Sequence, residues 1–285
     1  IMKKKICVII TARPSYSRVK TVLESLSKKN VELQIITSAT ANLSIYGDVS
    51  KVIEDDGFSI LKKFYNNIEG TNKISMAKTT ALSIIDLCSF FNLIKPDAII
   101  TIADRFETLS TSIAASYLNI KLVHLQGGEI SGNIDNKVRN ANSSLADIHF
   151  VCTDQSKKRV KSIATETKYI YNYGCPSIDL VKKYSSKKYK FNYSDLKGVG
   201  DLKYNDKDYV LVMQHPVTNS KLSTEFQIEQ TLSAIKKLNM NTIWFWPNAD
   251  SGADKISKRL RIFRENEINS KIYFIKNLPP KKFIP

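Results

Sequence analysis

The chain has 285 residues, 42% apolar and 25% charged, enough apolar side chains for a sizeable core and more length than one ordinary domain needs. Lys and Arg exceed Asp and Glu by 43 to 27, a net charge of +16, which raises nucleic acid or an anionic surface as a partner. The lysines are spread over nearly every helix and loop, and no arginine cluster alternates with aromatics; this disfavours a nucleic-acid-binding protein and fits a solvated basic surface that concentrates a small anionic substrate.

The basic Lys3-Lys4-Lys5 is followed by an apolar run that ends at Thr11-Ala12-Arg13-Pro14, too short for a signal peptide, so a cytoplasmic location is expected. Ile6–Ile10 reads as a strand, Tyr16–Lys29 as a helix and Val31–Thr37 as a strand again. Ile74–Asn92 has helical spacing and ends before Lys95-Pro96. Ala98–Ile102, Lys121–Leu125, Ile148–Cys152 and a weaker Lys168–Tyr171 read as strands, with helices over Phe106–Leu118 and Asn136–Ala146. No stretch approaches the length of a continuous apolar membrane span. The strands are nearly all apolar rather than alternating, as strands covered on both faces are.

Around 182–208 the composition turns to Lys, Tyr, Ser, Asn and Asp without periodicity, which reads as a linker. A second series follows, with strands Tyr209–Met213, Thr242–Phe245 and Lys271–Ile275 and helices Thr224–Leu238 and Ala253–Glu265. The expected architecture is α/β, with a Rossmann-like domain over 1–181 and a partial, nucleotide-binding α/β domain over 209–285. A ligand cleft between the two is expected. The second sheet, with three strands, is expected to leave an edge unpaired.

Cys7, Cys88, Cys152 and Cys175 form no C-x-x-C pair and share no metal-ligand spacing with His124, His149 or His215, so free thiols and no metal or other cofactor are expected. In open parallel sheets ligands sit beyond the carboxyl ends of strands. There the chain carries Thr11-Ala12-Arg13-Pro14-Ser15, Ala103-Asp104-Arg105-Phe106-Glu107, Gln126-Gly127-Gly128-Glu129, Gln214-His215-Pro216 and Trp246-Pro247-Asn248-Ala249-Asp250. Arg13, between a strand end and a helix start, suits a phosphate. His215 suits acid–base work. His124 and His149 lie within apolar strands and read as structural. Plainer readings stand beside these: Asp104 and Asp135 as helix N-caps, Arg105 paired to a neighbouring carboxylate, and Gly127-Gly128 as a tight turn.

Taken together, Asp104-Arg105-Phe106-Glu107, His124–Gly132, Asp135 and Arg139 resemble the central signature of the hydrolysing UDP-N-acetylglucosamine 2-epimerases. Segments at Ala12–Ser17, Gly174–Ser177, His215–Thr218 and Trp246–Gly252 fall in the same order as in that family. The resemblance implies a glycosyltransferase-B-like fold of two Rossmann-like domains. It also implies elimination of UDP across C1–C2 of a 2-acetamido sugar, followed by hydration to the free C2-inverted sugar, as used for sialic- or legionaminic-type acids. On that basis Asp104 and Asp135 are the carboxylates at the sugar, His215 lies near sugar and diphosphate, and Glu129 is a further acid–base group. Arg13 binds the diphosphate, and Arg105, Gln126 and Asn248 complete the substrate-binding set. The implied partner is a UDP-sugar, without nucleic acid or membrane, with self-association left open. Gln126 departs from relatives that carry a glutamate there, and an amide cannot exchange a proton at neutral pH. Relatives continue past the stretch matching Asn277–Pro280, so the 285-residue chain is expected to be inactive alone.

Overall fold

The computed structural model describes residues 2–185, 196–200, 208–267 and 271–284. The chain divides into two compact units, Ile1–Ile68 with Met76–Lys187 and Ile284–Pro285, and Glu69–Ser75 with Lys188–Phe283. Much of the linker expected over 182–208 lies outside the described residues, at 186–195 and 201–207.

The first unit runs β1 (Lys4–Ile10), α1 (Arg13–Leu26), β2 (Val31–Thr37), α2 (Val49–Asp55), β3 (Ile60–Lys63), α3 (Lys73–Ile94, all but its start in this unit), β4 (Ala98–Ile102), α4 (Thr108–Tyr117), β5 (Lys121–Leu125), α5 (Ile134–Leu145), β6 (Ile148–Val151), α6 (Asp154–Ile163), β7 (Ile170–Asn172) and α7 (Pro176–Ser185). Its seven strands are parallel, in the order β3-β2-β1-β4-β5-β6-β7. Alternate residues of each central strand serve opposite cores. Val8 and Ile10 of β1, with Ile35, Ile100 and Ile102, pack under Tyr16, Val19 and Leu23 of α1. Cys7 and Ile9, with Ile36, Ile99 and Leu122, pack under Leu87 and Phe91 of α3 and Ala114 and Ala115 of α4. Helices on both faces explain why the buried stretches of the central strands are mostly apolar on both sides of the sheet. At about 1.5–3 kcal/mol for each large side chain fully buried, this double core is the main stabilising contribution.

Length and composition (mean hydropathy 1.3) would let α3 cross a bilayer, a property it shares with core helices of globular proteins. Polar residues such as Thr79, Ser83 and Asp86 interrupt its apolar run, which is why the sequence shows no continuous span. Several elements differ from expectation. The first helix starts at Arg13, because Pro14 is tolerated in a first turn. Four elements, α2, β3, α6 and α7, occupy segments without an apolar period long enough to read. Asn133, not Asp135, caps α5, its side chain accepting from the Asp135 amide at 2.9 Å.

The second unit holds β8 (Val199–Gly200), β9 (Tyr209–Met213), α8 (Thr224–Leu238), β10 (Asn241–Phe245), α9 (Ala253–Asn266), β11 (Ile272–Ile275) and α10 (Pro280–Phe283). The expected three-stranded sheet is corrected to four strands. Short β8 pairs antiparallel with β11 through Val199↔Phe274 and Gly200↔Tyr273, giving the order β8-β11-β10-β9. Trp244, Phe274, Ile228 and Leu260 fill one side of this sheet, and Leu196, Ile243, Phe245 and Ile275 the other.

Candidate functional site

The first sheet reverses its winding between β1 and β4, the place where an open α/β sheet leaves a crevice at its carboxyl edge. Arg13 follows β1 there and Asp104 follows β4. Asp104 is buried, and both of its oxygens are engaged: Arg18 Nη1 donates to Oδ1 at 3.0 Å, and Arg139 Nη2 donates to Oδ2. It does not cap α4, whose N-cap position is Glu107. The plain reading of Arg105 is observed, since its Nη2 lies 3.1 Å from Glu107 Oε1.

Arg105 and Arg13 extend this pair of arginines, Arg105 in electrostatic reach of Arg18 and Arg13 in reach of Arg105. Burial, then the charge of Arg105, lowers the Arg13 pKa. Burial likewise lowers that of Arg18, which lies in electrostatic reach of Glu129, Arg105, Cys175 and Asp135. Arg139 is pushed down to about 10 by burial and by Arg18. Depressed values mean that these positive charges are held against desolvation and mutual repulsion, a cost that a bound anion would offset. The start of α1 adds to the same field, for Ala12 at its N-cap makes no side-chain capping bond. Among the described residues, no group of three or more His, Cys, Asp or Glu is disposed to hold a metal ion.

The Gln126–Glu129 loop is fixed from several sides. Gln126 is buried, and its Nε2 lies 3.4 Å from both Cys175 Sγ and Ser177 Oγ. Gly128 has φ +79°, and a Cβ there would sit 2.3 Å from the Ser156 carbonyl oxygen, so the glycine is required by close approach as well as by the turn. The Glu129 carbonyl accepts from Arg139 Nη1 at 2.8 Å, tying this loop to the arginine that holds Asp104. Asp135 stands half-buried in the first turn of α5.

His124 and His149 are fully buried, as expected of structural residues. His124 Nε2 contacts the Ala103 carbonyl at 2.9 Å, and its Nδ1 contacts Ser143 Oγ at 3.0 Å. A carbonyl only accepts, so Nε2 carries the proton and Nδ1 accepts from the hydroxyl. Burial lowers the His124 pKa to about 4. In the second unit, the backbone N–H of Asn248 donates to His215 Nδ1 at 3.2 Å, which leaves Nε2 as the proton-bearing nitrogen of the neutral ring.

Arg13, Asp104, Arg105, Gln126, Glu129 and Asp135 thus all belong to the first unit, whereas His215 and Asn248 belong to the second. The sequence reading missed Arg18 and gave Arg139 no role. An arginine in the second turn of a helix carries no local signal, and its partner Asp104 lies 86 residues away.

A family model described as UDP-N-acetylglucosamine 2-epimerase matches residues 24–285. The chain is 29% identical over 287 residues to the UDP-N,N'-diacetylbacillosamine 2-epimerase (hydrolyzing) of Legionella pneumophila subsp. pneumophila, covering 99% of this chain and 73% of that protein. It is 30% identical over 266 residues to the polysialic acid biosynthesis protein P7 of Escherichia coli, covering 91% and 66%. In fold it is similar to Methanocaldococcus jannaschii UDP-GlcNAc 2-epimerase, crystallised in complex with UDP-GlcNAc and UDP. The TM-score is 0.73 at 18% identity, covering 98% of this chain and 75% of that one. Match and architecture agree over nearly the whole chain, and the protein belongs to the UDP-N-acetylglucosamine 2-epimerase family.

Proposed function

We propose that the protein is a hydrolysing 2-epimerase of a UDP-2-acetamido sugar, either UDP-N-acetylglucosamine or UDP-2,4-diacetamido-2,4,6-trideoxyglucose. A base takes the proton from C2 while UDP leaves from C1, giving the glycal. Water then adds across C1–C2, its hydroxyl to C1 and a proton to C2 from the opposite face. The products are UDP and the free C2-inverted sugar, suited to sialic- or legionaminic-type acid synthesis. The observation that carries this reading is the group of four arginines, Arg105 and Arg139 buried and Arg13 and Arg18 half-buried, by the switch point of the first sheet and the loop Gln126-Gly127-Gly128-Glu129. Arg13 and the start of α1 are assigned to the diphosphate, and Arg105 and Gln126 to orientation of the sugar nucleotide. With both Asp104 oxygens committed to arginines, the carboxylates left to move protons in the first unit are Glu129 and Asp135. In the second unit His215 is the acid–base candidate and Asn248 holds its tautomer.

The relatives' names support hydrolysis and a diacetamido substrate. A cytoplasmic location, in keeping with four free cysteines, belongs to the same proposal. The test is incubation of the protein at its full natural length with each UDP-sugar in the presence of a chelator, with the products identified. UDP plus a free C2-inverted sugar is expected without added metal. A UDP-linked epimer with no free sugar would assign the non-hydrolysing reaction instead, and loss of UDP binding on chelation would refute the arginine-based diphosphate site.

A further inference from the structure

The loop that carries Glu129 is held by two arginines from two helices. Arg139 Nη1 of α5 donates to the Glu129 carbonyl at 2.8 Å, and Arg159 Nη1 of α6 donates to the Gly128 carbonyl at 3.0 Å. These carbonyls belong to the two peptide planes that meet at the Glu129 Cα. Each peptide is planar, so holding both planes fixes φ and ψ of Glu129, and with them the direction of its Cα–Cβ bond. Helix α6 is placed for this contact. Thr153 caps it, its Oγ1 accepting from the Ser156 amide at 3.0 Å. The buried Ser156 lays its carbonyl against Gly128, at the close approach that only glycine permits. Arg159, half-buried, stands three residues further on, along the same face of the helix.

We propose that Arg159 is a positioning residue for the epimerase reaction, clamping the Gly128–Glu129 peptide so that the Glu129 carboxylate is aimed at the C1–C2 bond of the sugar. Its effect on turnover rests on the proposed function, in which Glu129 is one of the carboxylates that move protons; the clamp itself does not. Arg159 acts through the backbone, and a charged donor on a carbonyl makes a stronger bond than a neutral one. Without that donor the plane on the amino side of Glu129 is free to rotate, and the carboxylate swings over a wider arc. A misplacement of about 1 Å costs on the order of a hundredfold in a step that depends on position. The diphosphate contacts assigned to Arg13 and the start of α1 do not pass through this loop, so the loss belongs to turnover and not to binding.

The test compares the wild type at its full natural length with Arg159→Met, Arg159→Lys, Glu129→Gln and the double variant of Glu129→Gln with Arg159→Met. Initial rates of UDP release give kcat and KM, and amide hydrogen exchange is followed over 126–132. Methionine keeps much of the apolar stem and removes the donors, whereas lysine keeps the charge and a donor. In Arg159→Met, kcat should fall about tenfold or more while KM changes by less than about twofold, and Arg159→Lys should recover most of the loss. In the Glu129→Gln background, Arg159→Met should lower kcat no further, because the two residues act as a unit. Exchange over 126–132 should quicken about tenfold in Arg159→Met while α5 and α6 keep their protection. A further loss in the double variant, full turnover in Glu129→Gln, or a raised KM at unchanged kcat would overturn the proposal. Unchanged exchange of the loop would do the same, and so would faster exchange spread over α5 and α6, the mark of a merely structural role. Absence of UDP release from the wild type would refute the proposed function, and the exchange measurement would then decide the clamp by itself.

Discussion

Replacing Asp104 by Asn tests stability and chemistry together, because the geometry ties them. The Asp104 side chain is 7% exposed, that of Arg139 4%, and that of Arg18 34%. Removing one member of a buried ion pair typically costs about 3–5 kcal/mol, since the remaining charge stays desolvated. The Arg18 contact, a third exposed, adds less than about 1 kcal/mol. Asn keeps one amide oxygen for one arginine but turns its NH2 towards the other, setting donor against donor. A loss of about 3 kcal/mol follows, which for a chain of this size lowers Tm by about 6–12 °C. The arginines would also lose the anchor that aims them, so UDP release per folded molecule should fall about a hundredfold or more. Circular dichroism melts give the first quantity, and initial rates measured well below the melt give the second. A Tm shift below about 2 °C would show that the arginines do not depend on Asp104. A large shift with full turnover per folded molecule would make Asp104 a purely structural residue.

Gly128→Ala should destabilise by about 3 kcal/mol, combining the left-handed conformation with a Cβ 2.3 Å from the Ser156 carbonyl; a chemical denaturation midpoint equal to the wild type would mean that α6 yields easily there. His124 gives a pH prediction with a definite sign. Its folded pKa, about 4, lies below the ordinary 6.5, so the unfolded chain binds the proton first as pH falls. Stability is therefore full above pH 6.5 and declines towards pH 4 by about 3 kcal/mol, at about 1.4 kcal/mol per pH unit. His124→Gln, which keeps a donor for the Ala103 carbonyl but does not titrate, should flatten that decline in urea unfolding; equal pH slopes for variant and wild type would refute the assignment.

The elements that were legible in the sequence are those whose burial is unambiguous. The strands β2, β4 and β5, each ending in four buried residues, run over the expected residues, and β9 does so by apolar composition alone, since only Val212 of it is buried. In contrast, β3 is an edge strand with no fully buried residue, and α6 buries only Ser156 and Val160, so neither leaves a period to read. The two-residue β8 is held by its pairing with β11 rather than by its own composition. Within the site, position was legible and partnership was not. The rule that ligands gather at carboxyl ends of strands picks out Arg13, Asp104 and Gln126 from the chain alone. That Asp104 accepts from Arg18 and Arg139 depends on contacts spanning 86 and 35 residues, which no local pattern encodes.

The hidden part also includes backbone strain. Both central strands leave the sheet through non-glycine residues in the left-handed region, Ala103 at φ 57° after β4 and Gln126 at φ 61° after β5. For residues with a Cβ this costs of order 1 kcal/mol or more each, so something must hold them there. The sheet does, by extending its ladder one residue past the strands. The Ala103 N–H donates to the Leu125 carbonyl at 2.9 Å, and the Gln126 N–H donates to that of Phe150 at 2.8 Å. The freed Ala103 carbonyl then accepts from His124 Nε2 at 2.9 Å and Asn142 Nδ2 at 3.3 Å. A buried neutral histidine inside a strand, structural by every local criterion, thus fixes the peptide from which Asp104 projects. Protonating the ring would place the new proton at Nδ1, where the Ser143 hydroxyl must turn from donor to acceptor. The Nε2 bond to the Ala103 carbonyl would stay in place, so the cost of protonation lies in burying the charge and not in releasing the peptide that carries Asp104.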